Sequence, residues 1–142
     1  MVDSPQSNQR AELAELMRRM GEQMRRRFHE VVRGHGLTPP LYATLRELDE
    51  PLPMRSAAER LCFDASYITA LADRLEALGF VERRADLADR RVKQLALTEL
   101  GVDVKRRIDE AMALGPGLFP ELDDEDVADL VRVYRKMLAE PD

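Results

Sequence analysis

Two short helical stripes followed at once by two strand-like segments occupy residues 54–97, and few folds accommodate that order. From Met54, the apolar residues Ala57, Ala58 and Leu61 fall on one side of two helical turns. Asp64 is placed to cap a second helix with the stripe Ile68, Leu71, Leu75 and Leu78, and Gly79 suits the left-handed position that closes it. Only the few residues around Cys62 and Phe63 separate the two helices, which is helix–turn–helix spacing. At Phe80 the apolar period changes. Phe80–Arg84 and Val92–Leu97 suit strands joined by the seven residues Ala85–Arg91. Leu95 and Leu97 alternate with polar neighbours, so the pattern predicts a hairpin with one covered and one wet face.

The flanks are helical. From about Ser7 to Arg33, the residues Leu13, Leu16, Met17, Met20, Met24, Phe28, Val31 and Val32 recur at steps of three and four. A helix of that length has more apolar stripe than its own chain can cover, and Gly34 and Gly36 stop it. Thr38, with Pro39 in the first turn, starts a short helix through Leu41, Leu45 and Leu48, which Pro51 and Pro53 break. Thr98 caps a helix expected to run to about Leu114, where Gly115, Pro116 and Gly117 end it. Asp123 caps the last helix, whose stripe is Val127, Leu130, Val131, Tyr134 and Leu138, with Leu122 and Val127 placed as a hydrophobic staple.

The 142 residues suffice for one domain with extra helices, and 35% charged against 44% hydrophobic residues describes a water-soluble globular chain. No apolar run approaches the length of a membrane span, and residues 1–12 hold no signal-peptide core, so the expected location is the cytoplasm, with no membrane partner. A net charge of −5 argues against nucleic acid until it is divided: residues 10–33 carry +3, residues 55–107 carry +2 and residues 108–142 carry −7. Arg83, Arg84, Arg90, Arg91 and Lys93 against Asp86 and Asp89 give the hairpin +3 in eleven residues.

The predicted fold class is therefore mainly α with a small β-hairpin wing: a winged helix–turn–helix lobe with flanking helices. The second helix, about Ala65–Leu78, belongs in the major groove of DNA, and the wing tip in a neighbouring minor groove. The exposed positions are Ala65, Ser66, Tyr67, Thr69 and Ala70, with Arg74 the first base along the helix. Ser66, Tyr67 and Thr69 are expected to read base edges, and Ala65 or Ala70 to touch thymine methyls. In the wing, Arg91 is expected to enter the minor groove, held by a charge-assisted bond from Asp89, while Arg84, Arg90 and Lys93 contact phosphates.

These residues resemble a known family. Leu75-Glu76-Ala77-Leu78-Gly79-Phe80-Val81-Glu82-Arg83, Asp89-Arg90-Arg91 and Leu95-Ala96-Leu97-Thr98-Glu99-Leu100-Gly101 match, in order and spacing, the pattern of MarR-type transcriptional regulators. The chain departs from that pattern in its small uncharged residues early in the recognition helix and in Cys62, where relatives often have a small residue or glycine. The resemblance implies one domain over residues 1–142, with a winged lobe at about 38–97 and dimerisation helices at about 7–33 and 98–140. It implies a homodimer on a near-palindromic double-stranded operator, most often as a repressor that a small molecule releases. The dimer interface would include Leu13, Leu16, Met17, Met20, Met24, Val131, Tyr134 and Leu138. A cleft for a small anionic aromatic effector would be lined from near Phe28, His29, Leu41, Tyr42 and Leu45; taken singly, Phe28, Tyr42 and Leu45 better suit an ordinary core.

No nucleophile motif, phosphate loop or defined carboxylate pair is present, so no enzyme and no cofactor is expected. His29 and His35, six apart and without supporting cysteines, make no metal site. Cys62 is expected to be a small buried hydrophobe of the turn rather than a redox sensor. The rival reading is a winged helix that has lost DNA and uses its acidic C-terminal quarter on a protein partner. The clustered Asp89, Arg90 and Arg91 argue against it.

Overall fold

The computed structural model describes residues 5–113 and 119–139. The fold is mainly helical with a small antiparallel sheet, in the order α1 (Pro5–Gly34), α2 (Pro39–Arg46), β1 (Leu52–Pro53), α3 (Met54–Leu61), α4 (Ala65–Ala77), β2 (Val81–Ala85), β3 (Lys93–Leu97), α5 (Glu99–Met112) and α6 (Asp124–Leu138). The chain divides into two compact units, Met1–Met112 and Ala113–Asp142.

In the first unit, α1 is about 45 Å long at the usual rise of ~1.5 Å per residue. Its C-terminal third enters the core through Val32, whereas every residue from 6 to 20 is exposed. The helix ends in a Schellman motif: Leu37 N–H donates to Val32 O at 3.1 Å and Gly36 N–H to Arg33 O at 2.9 Å. Gly36, at φ 75°, supplies the left-handed residue. His35 Nδ1 lies 2.8 Å from the Val31 carbonyl oxygen, so this histidine finishes the helix end. The core gathers Leu41, Leu45 and Leu48 of the α2 region, Ala57 of α3, Ile68 and Leu75 of α4, Leu95 of β3 and Ile108 of α5. Thr44, the one buried polar residue among those described, satisfies its hydroxyl on the Pro40 carbonyl at 2.9 Å.

Thr38 and Asp64 occupy the expected N-cap positions, but neither side chain makes a cap hydrogen bond. The helix starts survive without them because the flanking residues are extended and Pro39 has no N–H to satisfy. The predicted hairpin is one part of a three-stranded sheet of order β1-β3-β2. Leu52 pairs with Leu95 and Pro53 with Gln94. A proline that breaks helices is tolerated at the edge of a sheet, where one side of the strand has no ladder to complete. Ala96 is buried as well as Leu95, so the wet face expected of β3 is covered in part.

Cys62 is exposed rather than buried, and at φ 54°, ψ 40° it is the one described non-glycine residue with positive φ. It holds the position that Gly36 and Gly79 hold at the ends of α1 and α4: Phe63 N–H donates to Ala58 O at 2.9 Å and Cys62 N–H to Glu59 O at 3.2 Å. A side chain in that region costs about 1–2 kcal/mol. Cys62→Gly is therefore expected to stabilise the protein by about 1 kcal/mol and raise Tm by roughly 3 °C. Paired thermal melts check this, and an unchanged or lower Tm for the glycine variant would remove the strain argument.

The second unit contains α6. Asp126 N–H donates to Asp123 Oδ1 at 2.8 Å and Asp123 N–H to Asp126 Oδ2 at 3.3 Å, a capping box formed by two aspartates. Asp124, Glu125 and Asp126 at the start and Arg135 and Lys136 at the end suit the helix dipole. No residue of α6 is buried. The expected helix end at Leu114 and Gly115–Gly117 lies outside the described residues; α5 ends at Met112.

Candidate nucleic-acid interface

Two joints hold the wing. Thr98, just ahead of α5, accepts the Gly101 N–H at 3.0 Å, and its hydroxyl donates to Gly79 O at 2.6 Å. Its backbone N–H donates to Phe80 O at 3.1 Å. One threonine thereby caps α5 and ties it to the turn between α4 and β2. Gly101 permits this closeness: a Cβ there would collide with the Phe80 carbonyl oxygen and lie 2.9 Å from its carbon. The Leu-Thr-x-x-Gly signature is the sequence form of this joint.

The second joint is electrostatic. Arg83 of β2 reaches across to α4, with Nη2 at 2.5 Å from Asp73 Oδ1 and Nη1 at 3.2 Å from Glu76 Oε1. Asp73 follows Ser66, Thr69 and Ala70 by seven, four and three residues, so all four share one helix face. An aspartate there would repel phosphates, and Arg83 neutralises it. Sequence reasoning counted Arg83 among the wing charges; its partners lie ten and seven residues back, beyond local periodicity.

On α4 the expected contact residues Ala65, Ser66, Tyr67, Thr69, Ala70 and Arg74 are all exposed. The Thr69 hydroxyl donates to Ala65 O at 2.8 Å, which leaves its lone pairs outward as acceptors. The Tyr67 ring packs edge-on against Phe63, with centroids 5.0 Å apart. With Asp73 and Glu76 held by Arg83, the Arg74 guanidinium has no partner among the described residues.

In the wing, Arg84 is paired with Glu82. The Asp89 carboxylate accepts the backbone N–H of Arg91 at 3.0 Å, so it fixes the turn and leaves the guanidinium unheld. Arg90, Arg91 and Lys93 are exposed and without side-chain partners among the described residues. The arrangement is a neutralised helix face beside a loop of three unpaired cations, which suits a polyanion with grooves.

The remaining expected residues fall into two groups. Leu41, Tyr42 and Leu45 are core residues, Phe28 is half-buried with its ring 5.6 Å from that of Tyr42, and His29 is exposed. The Tyr42 hydroxyl donates to the Asp109 carboxylate; burial first, then that bond, pushes its ionisation well above the ordinary tyrosine range. Leu13, Leu16, Met17 and Met20 of α1, and Val131, Tyr134 and Leu138 of α6, are exposed large hydrophobics, while Met24 is half-buried. No described helix is long and apolar enough to cross a membrane.

Residues 37–93 match the model of the MarR family. The transcriptional regulator TtmR of Methylorubrum extorquens is 35% identical over 86 residues, 59% of this chain and 44% of that protein, so the chain spans less than half the length of this relative. The YusO protein of Bacillus subtilis has the same fold, with a TM-score of 0.84, 22% identity and coverage of 94% of this chain and 97% of that one. A mutant of Staphylococcus aureus MepR, solved bound to an oligodeoxyribonucleotide, superposes with a TM-score of 0.73 at 20% identity, covering 89% of this chain and 95% of that one.

Proposed function

From the match of residues 37–93 to the MarR family model, we propose that the chain is a sequence-specific regulator of transcription that binds a near-palindromic double-stranded operator as a homodimer. The observation that carries this reading is the charge arrangement: the acids on the α4 face are held by Arg83 while Arg74, Arg90, Arg91 and Lys93 stay unpaired. α4 enters a major groove through Ser66, Tyr67 and Thr69, with Ala65 and Ala70 against thymine methyls. Arg91 enters the adjacent minor groove, and Arg90 and Lys93 contact phosphates. Arg84 joins them by exchanging Glu82 for a phosphate. MepR bound to an oligodeoxyribonucleotide supports this as an instance of the fold on DNA.

The exposed stripes Leu13–Met20 on α1 and Val131–Leu138 on α6 support a second copy as the partner, since apolar surface of that extent seldom stays in water. Repression, relieved by a small anionic aromatic effector that favours a dimer unable to span its operator, completes the proposal. The effector site would form beside Phe28 and His29, against the core residues Leu41, Tyr42 and Leu45.

Selection from random duplexes at two salt concentrations tests the reading. Enrichment of a near-palindrome with half-sites about 10 bp apart is expected, with a sedimentation mass twice that of one chain. A monomer that enriches nothing overturns it. On the enriched duplex, Arg91→Ala is expected to weaken binding about tenfold or more and reduce the salt slope by about one. An unchanged slope would take Arg91 out of the contact.

A further inference from the structure

Charge and core packing leave one wing residue without a role. Leu87 is 103% exposed, more than any other large apolar side chain among the described residues. It does not sit on a loose loop. Asp86 Oδ1 accepts the backbone N–H of Ala88 at 2.6 Å and of Asp89 at 3.3 Å, and Oδ2 accepts from Gln94 Nε2 at 2.7 Å. Asp89 Oδ1 repeats the motif on Arg91 N–H, and Asp86 N–H to Val92 O at 3.0 Å and Val92 N–H to Asp89 O at 2.9 Å close the loop. Two successive Asx turns thus put Leu87 and Arg90 directly after their anchoring aspartates. These bonds hold the backbone on both sides of Leu87, so the loop presents the leucine to water before anything binds.

An apolar side chain fixed beside unpaired arginines suits a minor groove for a specific reason. Apolar wedges in that groove press between base pairs and partly unstack them, and pyrimidine–purine steps yield most easily. A preformed loop does this without first losing conformational freedom. We infer that Leu87 is a minor-groove wedge which makes the protein select operators with a flexible TA or CA/TG step beneath each wing. This deepens the DNA-binding reading and rests on it.

The test uses the full chain and the duplex enriched by selection, with 2-aminopurine placed at the purine of the step beneath the wing. Wild-type protein is expected to raise its fluorescence on binding, as the base unstacks. Leu87→Ala is expected to bind about tenfold more weakly, give no rise, keep the wild-type salt slope and melt at the wild-type temperature. Replacing the step by AA is expected to weaken the wild type and leave Leu87→Ala unaffected. Leu87→Ala with wild-type affinity and an equal fluorescence rise overturns the wedge while DNA binding stands. A wild-type chain that binds no duplex overturns the DNA reading itself, and the wedge with it.

Discussion

Gly101→Ala is expected to lower stability by about 3 kcal/mol and Tm by roughly 10 °C. The added methyl would meet the Phe80 carbonyl, which is backbone and cannot rotate aside. Relief requires the start of α5 to move away from the turn after α4. That movement breaks the Thr98 bonds to Gly79 O and Phe80 O, so the loss of a helix anchor adds about 1 kcal/mol to the overpacking. Gly21 is the control. It lies within α1 with nothing inside 4 Å of its would-be Cβ, and Gly21→Ala is expected to stabilise by about 0.5–1 kcal/mol. Urea and thermal melts of both variants decide the matter; equal effects of the same sign would refute the joint.

Arg83→Ala is expected to weaken operator binding roughly a hundredfold, although Arg83 touches no DNA in the proposed complex. Without it, Asp73 and Glu76 stand as free carboxylates on or beside the face that meets the major groove. The exposed ion pairs themselves contribute little to stability, about 0–1 kcal/mol each, so the melting curve should move far less than the affinity. Removing the acids as well separates charge from shape: Arg83→Ala combined with Asp73→Asn and Glu76→Gln is expected to recover most of the binding. A triple variant as weak as Arg83→Ala alone would mean that the arginine acts on DNA directly.

The helical framework was legible because its punctuation is local. Gly36 and Gly79 are left-handed helix ends, Asp123 is a cap that forms, and Thr98 and Gly101 mark a joint that only those residue types fit. The exposed contact positions on α4 followed from helical period alone. What escaped depends on partners far along the chain. β1 is two residues long, contains proline, and exists because Leu95 lies opposite Leu52, more than forty positions later. Cys62 carries a residue type that gives no hint of positive φ, since the tight turn between two helices imposes that backbone on whatever stands there. The Asp89 carboxylate was expected on the Arg91 guanidinium but takes the backbone N–H, the nearer donor in an Asx turn. Counting charge along the wing also passed over Leu87, which has none.

α5 is fastened at both ends. Thr98 and Gly101 seat its beginning against the base of the wing, and Arg27 of α1 donates to the Ala111 carbonyl at its far end, at 3.0 Å. The helix between is about 20 Å of close-packed rod, with Val104 and Ile108 set in the core. A close-packed rod gripped at two points joins what it touches: a twist applied where α5 meets α1 is expected to reach the hairpin as a tilt. Pitch of the wing and orientation of the long first helix are thus expected to change together.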